Sequence, residues 1–352
     1  MSALADGLAR WLGERWGMTV TVAGLDQSSA GARRTNLGFD ATADGVTRRL
    51  AATILPTADI QLIDLGAEAE VRTLAQANGV ITPFIHGACL DPSVIGGPFF
   101  VSDFVTGESV PRRVLRLVEQ AGNGERIAAQ IADALARLHA VDPALAPAGL
   151  PRPADGVGPI ATALGGVRDS IGLLLQPEPA LLYGLRWLEA NRPDEPARRT
   201  IVHSDVRTGN VIVGADGLRA ILDWETAKVG DPMEDLAWPC LRMWRFRNDH
   251  LLVGGISRIE PYRDAYLAAG GAWDQDRFEW WRVLGTLRWA LGLANQAAQH
   301  LRPVPHDRDG GERPARVRTH LGPAVPDHPA RRADRLTEVA AGRSSCWGVP
   351  NR

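Results

Sequence analysis

Apolar and polar positions follow two different rhythms along this chain, and the change falls near residue 107. Leu4, Leu8, Trp11 and Leu12 recur at helical spacing, so an amphipathic helix is expected to open the sequence. From Val20 to about Pro56 the texture is that of strands, and Asp44-Gly45 marks a hairpin between two of them. "AEAEVRTLAQANG", Ala67 to Gly79, reads as a helix closed by its glycine. Strand texture returns in "ITPFIHGACLDPSVIGGPFFVSDFVTG". A small sheet with one helix is therefore expected over residues 1–107.

Beyond it helices dominate, over residues 108–300. Ile127, Ile131, Leu135 and Leu138 share one helical face, and "PALLYGLRWLEANRP", "DLAWPCLRMWRF" and "FEWWRVLGTLRWALGLANQAAQHL" read as further helical blocks. Their tryptophans, Trp238, Trp244, Trp281 and Trp289, are assigned to the core, and His139 to a structural place at a helix end. Near Arg302 the periodicity stops. The Arg- and Pro-rich segment 301–352 has too few apolar residues to offset its ordering entropy, so a mostly disordered tail is expected there.

One stretch interrupts the helical half. "IVHSDVRTGNVIV", Ile201 to Val213, sets a polar run between two short apolar segments. Gly214 to Gly217 then make a turn, and Leu218 to Leu222 form a return strand ending on Asp223. Folded as a hairpin, this brings Asp205, Asn210 and Asp223 to one end of a small sheet. Two carboxylates and a carboxamide are hard oxygen donors that suit Mg²⁺ rather than zinc. His203, Asp205 and Asn210 also have the H-x-D-x-x-x-x-N spacing of a phosphoryl-transfer catalytic loop. A hydrophilic turn would account for either piece alone, but poorly for both together.

Composition narrows the field. A net charge of −2 gives no basic footprint for nucleic acid. Cys89, Cys240 and Cys346 are widely spaced and form no C-x-x-C pair, which fits a reducing compartment rather than a disulfide framework. No secretory leader or membrane-length apolar run is visible, so a cytoplasmic protein without a membrane partner is expected. Lys228 is the one lysine; every other basic residue is arginine.

The run from Tyr183 to Trp244 resembles the phosphotransferases related to aminoglycoside and choline kinases. It is most similar to the branch that includes the kinase domain of acyl-CoA dehydrogenase family members 10 and 11. The resemblance extends over about residues 20 to 300. It implies an α+β, protein-kinase-like fold of two lobes, a small β-rich N-terminal one that binds nucleotide and a larger helical one carrying the catalytic hairpin and acceptor site. It implies an ATP- and Mg²⁺-dependent kinase acting on a small-molecule hydroxyl, with Asp205 as base and His203 bracing the catalytic loop. Asn210 and Asp223 would be the metal ligands. Gly31 and Arg33 would belong to the loop over the phosphates, Glu70 to the first-lobe helix, and Ser102, Asp103 and Val105 to the hinge beside the purine. Asp231 and Asp235 would support the loop.

Two departures stand out. Ser204 replaces the usual glycine of H-G-D, and Thr53 stands where a third-strand Lys or Arg would pair with Glu70 and the phosphates. Arg33 or Arg34 could supply that charge from the loop. Thr53 keeps open a nucleotide-binding regulatory module with weak catalysis, and the Asp/Asn cluster keeps open a metal-dependent phosphohydrolase. The acceptor and the oligomeric state are not legible in the sequence.

Overall fold

The hairpin at Asp44-Gly45 organises the first lobe. Both residues have positive φ, 48° and 75°, which matches a tight turn to the twist of the strands it joins. In this computed structural model, which describes residues 2–30, 34–55, 63–174, 176 and 178–301, the turn joins β2 (Thr35–Ala43) to β3 (Val46–Ile54). With β1 (Thr21–Ala30), β4 (Ile85–Cys89) and β5 (Phe99–Asp103) they make an antiparallel sheet of order β1-β2-β3-β5-β4. Gly31, Arg33 and the tail from Arg302 lie outside the described residues.

Alternation along β5 sends its side chains to opposite faces. Phe99 and Val101 pack with Leu8, Trp11 and Leu12 of α1 (Ser2–Trp16), as the opening periodicity anticipates. Phe100 faces the other way, with Leu65 of α2 (Leu65–Ala77). That helix starts where Asp64 caps it, accepting a hydrogen bond from the Ala67 amide at 3.1 Å.

The chain leaves the sheet after Asp103 and docks on the second lobe within a few residues. Glu108 and Val213 exchange both backbone hydrogen bonds, at 2.9 and 3.0 Å. Gly107 makes this approach possible. Its φ is +149°, and a Cβ there would collide with the Ile212 side chain and sit 2.8 Å from the Val213 carbonyl oxygen.

In the second lobe α3 (Pro111–Ala121) leads into α4 (Gly124–Ala140), whose Ile127, Ile131, Leu135 and Leu138 are buried in the main core. Around α4 stand α5 (Pro159–Gly172), α6 (Pro179–Ala190), α8 (Ile259–Ala268) and α9 (Gln275–Leu301). The expected hairpin is present as β7 (Val211–Gly214) and β8 (Gly217–Ile221). The strand before the loop, β6 (Thr200–Val202), pairs with β9 (Lys228–Gly230) instead, so the polar run bridges two separate sheets. The block 235–246 is not one helix. An α-helix, α7 (Pro232–Ala237), gives way to 3₁₀ turns at Trp238–Cys240 and Arg242–Arg245, because Pro239 has no N–H to continue the helical ladder.

Candidate active site

The loop between β6 and β7 is held from below before it presents anything. Asp235 of α7 is fully buried and accepts from the amides of His203 and Ser204, at 2.8 and 2.5 Å, and from the His139 ring at 3.0 Å. Burial works against its ionisation, but those donors and the nearby histidines hold its carboxyl below the usual carboxylate range. Asp231 caps α7 through the Met233 amide (3.0 Å) and accepts from the Trp281 indole (2.9 Å). Ser204 stands at φ +68°, a left-handed conformation that glycine adopts without cost, which explains why serine is the less natural occupant.

His203 is wholly buried and both ring nitrogens are engaged. Nε2 lies 2.9 Å from the Leu222 carbonyl, to which it can only donate, and Nδ1 accepts from the Asp205 amide at 3.2 Å. Its place is therefore that of a brace tying the loop to the end of β8. It has no nitrogen left for a proton-transfer role.

Above this base Asp205 is fixed from three sides. Trp238 Nε1 donates to Oδ1 at 2.6 Å, Arg207 Nε reaches the same oxygen at 3.2 Å, and Asn210 Nδ2 donates to Oδ2 at 2.7 Å. Burial raises the Asp205 pKa; Arg207 and His203 oppose the rise, and Asp223 adds to it. Three of about four lone-pair directions of the carboxylate are used, so one remains to accept a further hydrogen bond. Trp238 is a core residue, as its apolar surroundings in the sequence predict. It is buried, with Leu241 and Trp244, in a core cluster separate from the main one that holds Trp281, and its indole N–H additionally meets Asp205. An indole N–H aimed at a carboxylate leaves no periodic signal in sequence.

Asn210 and Asp223 approach through the backbone, where the Leu222 amide donates to the Asn210 carbonyl at 2.8 Å. Asn210 spends its amide hydrogens on the Asp205 carbonyl (2.9 Å) and carboxylate, which leaves its carboxamide oxygen for a cation. Asp223 stands at φ +63° just past the hairpin. An oxygen-only donor pair of this kind fits Mg²⁺, which ordinarily takes one or two protein ligands and completes its shell with water and phosphate oxygens.

On the first-lobe wall the ion pair is made by different residues than expected. Glu68, not Glu70, is buried, and Arg34 grips both of its carboxylate oxygens, at 3.0 and 2.8 Å. Glu70 is exposed. Two residues along a helix turn by about 200°, so both cannot face the cleft. The buried stripe of Leu65, Glu68, Val71, Arg72 and Ala75 was the available signal. Thr53 hydrogen-bonds Asn36 across the β2–β3 pair (2.8 Å), and Arg49 is engaged by Asp26 and Asp40. Ser102 is buried in β5, Asp103 accepts from or pairs with His86 (2.8 Å), and Val105 lies in the segment joining the lobes. A cavity of about 460 Å³ opens between α5, β9 and α9, lined by residues that include Lys228, Glu234, Arg288, Val167 and Leu291; Arg288 also lies over the Trp238 ring, 5.9 Å from its centroid.

The model of the phosphotransferase enzyme family matches residues 31–281. Acyl-CoA dehydrogenase family member 10 of Mus musculus is 27% identical over 274 residues, 70% of this chain; the chain spans only 23% of that relative's length. Among solved structures, a Ralstonia eutropha JMP134 protein placed among the aminoglycoside phosphotransferases superposes with a TM-score of 0.65 at 19% identity, covering 96% of each chain. A thermostable mutant of aminoglycoside phosphotransferase APH(4)-Ia, in ternary complex with AMP-PNP and hygromycin B, superposes with a TM-score of 0.59 at 17% identity, over 96% of this chain and 100% of that one. The two-lobed kinase-like fold expected from the sequence is thus the fold observed.

Proposed function

Because the chain belongs to the phosphotransferase enzyme family, we propose that it transfers the γ-phosphoryl group of ATP to a hydroxyl of a small molecule, with Asp205 as the base. The observation that carries this reading is the loop geometry: Asp205 oriented by Trp238 and Asn210 at 2.6 and 2.7 Å, with Asn210 and Asp223 beside it. Phosphoryl transfer asks a protein mainly for positioning and charge neutralisation. Asp205 aligns the acceptor oxygen and receives its proton as the new P–O bond forms and the bond to the leaving diphosphate breaks. Its burial makes it a stronger base than an exposed aspartate. Ser102, Asp103 and Val105 would flank the purine. Asn210 and Asp223 would hold Mg²⁺, which when bound neutralises and orients the phosphates.

Thr53 supports one second reading, a module that binds nucleotide without turnover. ADP release across a panel of hydroxylated metabolites separates the two. Asp205→Asn should lower acceptor-dependent turnover on the order of 10²–10⁴-fold while leaving AMP-PNP affinity intact. Near-wild-type turnover in that variant would remove Asp205 from the chemistry. Phosphate release without any acceptor would instead point to a phosphohydrolase.

A further inference from the structure

The third strand carries threonine rather than a cation at position 53, yet the cleft wall beside it carries one. Asn36 and Thr53 are registered partners on β2 and β3, and Arg34 lies two residues before Asn36, so its side chain leaves the sheet on the same face. Its guanidinium takes Glu68 through both terminal nitrogens and reaches across the cleft to Glu225 Oε2 at 3.0 Å. Glu225 follows Asp223 by two residues.

The charges around it are informative. Arg72, one helical turn beyond Glu68, is buried against the Phe100 ring at 4.7 Å, and burial pushes its pKa down to about 10. Glu68 therefore sits between two arginines and can balance only one of them. Burial opposes the charge on Arg34, but Glu68, Glu225 and Asp223 together hold its pKa above the ordinary value. The first-lobe wall thus presents a permanently charged guanidinium to the region of Asp223, balanced in part from the opposite lobe.

Resting on the kinase reading above, we propose that Arg34 is the phosphate-anchoring cation of this protein, in place of the third-strand position held by Thr53, and that nucleotide phosphates displace Glu225 from it. Arg34 stays on Glu68, which keeps the guanidinium plane oriented, and its Nη2 exchanges one anionic partner for another. A planar fork with several donors can hold a carboxylate and a phosphate at once, which an ammonium on β3 would do less well. The bridge to Glu225 also holds the two lobes together before nucleotide enters, so the exchange couples binding to their separation.

Calorimetric titration of the full-length protein with Mg-AMP-PNP and, separately, with adenosine tests this. Arg34→Gln should weaken AMP-PNP by about tenfold or more and leave adenosine unchanged, because only the former carries phosphate. Arg34→Lys should fall between, and adding Thr53→Lys to Arg34→Gln should restore part of the loss. Glu225→Gln should tighten AMP-PNP several-fold, about 1.4 kcal/mol if the change reaches tenfold. Equal loss of adenosine and AMP-PNP in Arg34→Gln, or no loss of either, would overturn the assignment while leaving the kinase reading in place. Unchanged or weaker AMP-PNP binding in Glu225→Gln would overturn the exchange. If the unmodified protein bound neither compound, the nucleotide site and this assignment would fall together.

Discussion

Asp235 shows how one buried carboxylate can decide the shape of a loop. It gathers two backbone amides of the loop after β6 and the His139 ring, all buried. Its folded-state pKa lies below the ordinary value, so its contribution to stability is present above the unfolded value, about 3.9, and is lost as pH falls through the folded one. Asp235→Ala should cost roughly 3 kcal/mol near neutral pH, since it leaves buried donors unpaired, and should flatten the acid limb of the stability curve. Urea denaturation at neutral and acidic pH measures both, and an unchanged acid limb would show that Asp235 does not carry that dependence. At this scale sequence spacing places Asp205 and Asn210 in one loop, because they are five residues apart. Glu68 and Trp238 escaped it, since nothing local says which carboxylate of a helix faces a cleft or which indole meets a carboxylate.

At the scale of elements, one glycine and two backbone hydrogen bonds contribute to the join between lobes. Gly107→Ala should force the segment off β7, lowering the melting temperature by roughly 5 °C and raising hydrogen exchange at the Glu108 and Val213 amides. Unchanged protection at those amides would show that the bridge tolerates a side chain there. Long periodic elements such as α4 and α9 were legible because burial of one face imposes their spacing. The pairing of β6 with β9 was not: each strand is three residues long, too short for alternation to register. Pro239 was visible, but its effect on the helix after Ala237 was read through by the surrounding apolar residues.

The molecule as a whole places a wall bearing Arg34 and Glu68 opposite the loop bearing Asp205 and Asn210 and the turn after β8 bearing Asp223, on different lobes. A ligand that binds only this folded arrangement stabilises it by linkage, about 2.7 kcal/mol at a hundred times its Kd. AMP-PNP with Mg²⁺ should therefore raise the melting temperature by several degrees, and chelation of the metal should reverse part of the rise. Asp223→Ala and Asn210→Ala should each lose the metal-dependent part while keeping the unliganded melting temperature within a few degrees. Differential scanning calorimetry would decide it; a full magnesium increment in both variants would place the metal elsewhere.

The sequence by itself determined the elements and the local chemistry of the loop and its hairpin. Helical and strand periods, a Gly-bounded turn and the H-x-D-x-x-x-x-N spacing are all short-range, enforced by backbone geometry within a few residues. Only the tertiary structure decided which cation meets Glu68, which indole orients Asp205 and which strand pairs with β6. Arg34 and Glu225 are brought to 3.0 Å from opposite lobes, and Trp238 reaches Asp205 from the 3₁₀ turn that follows α7. Such contacts follow from how whole elements pack, where each side chain's direction is set by every neighbour at once and leaves no pattern along the chain.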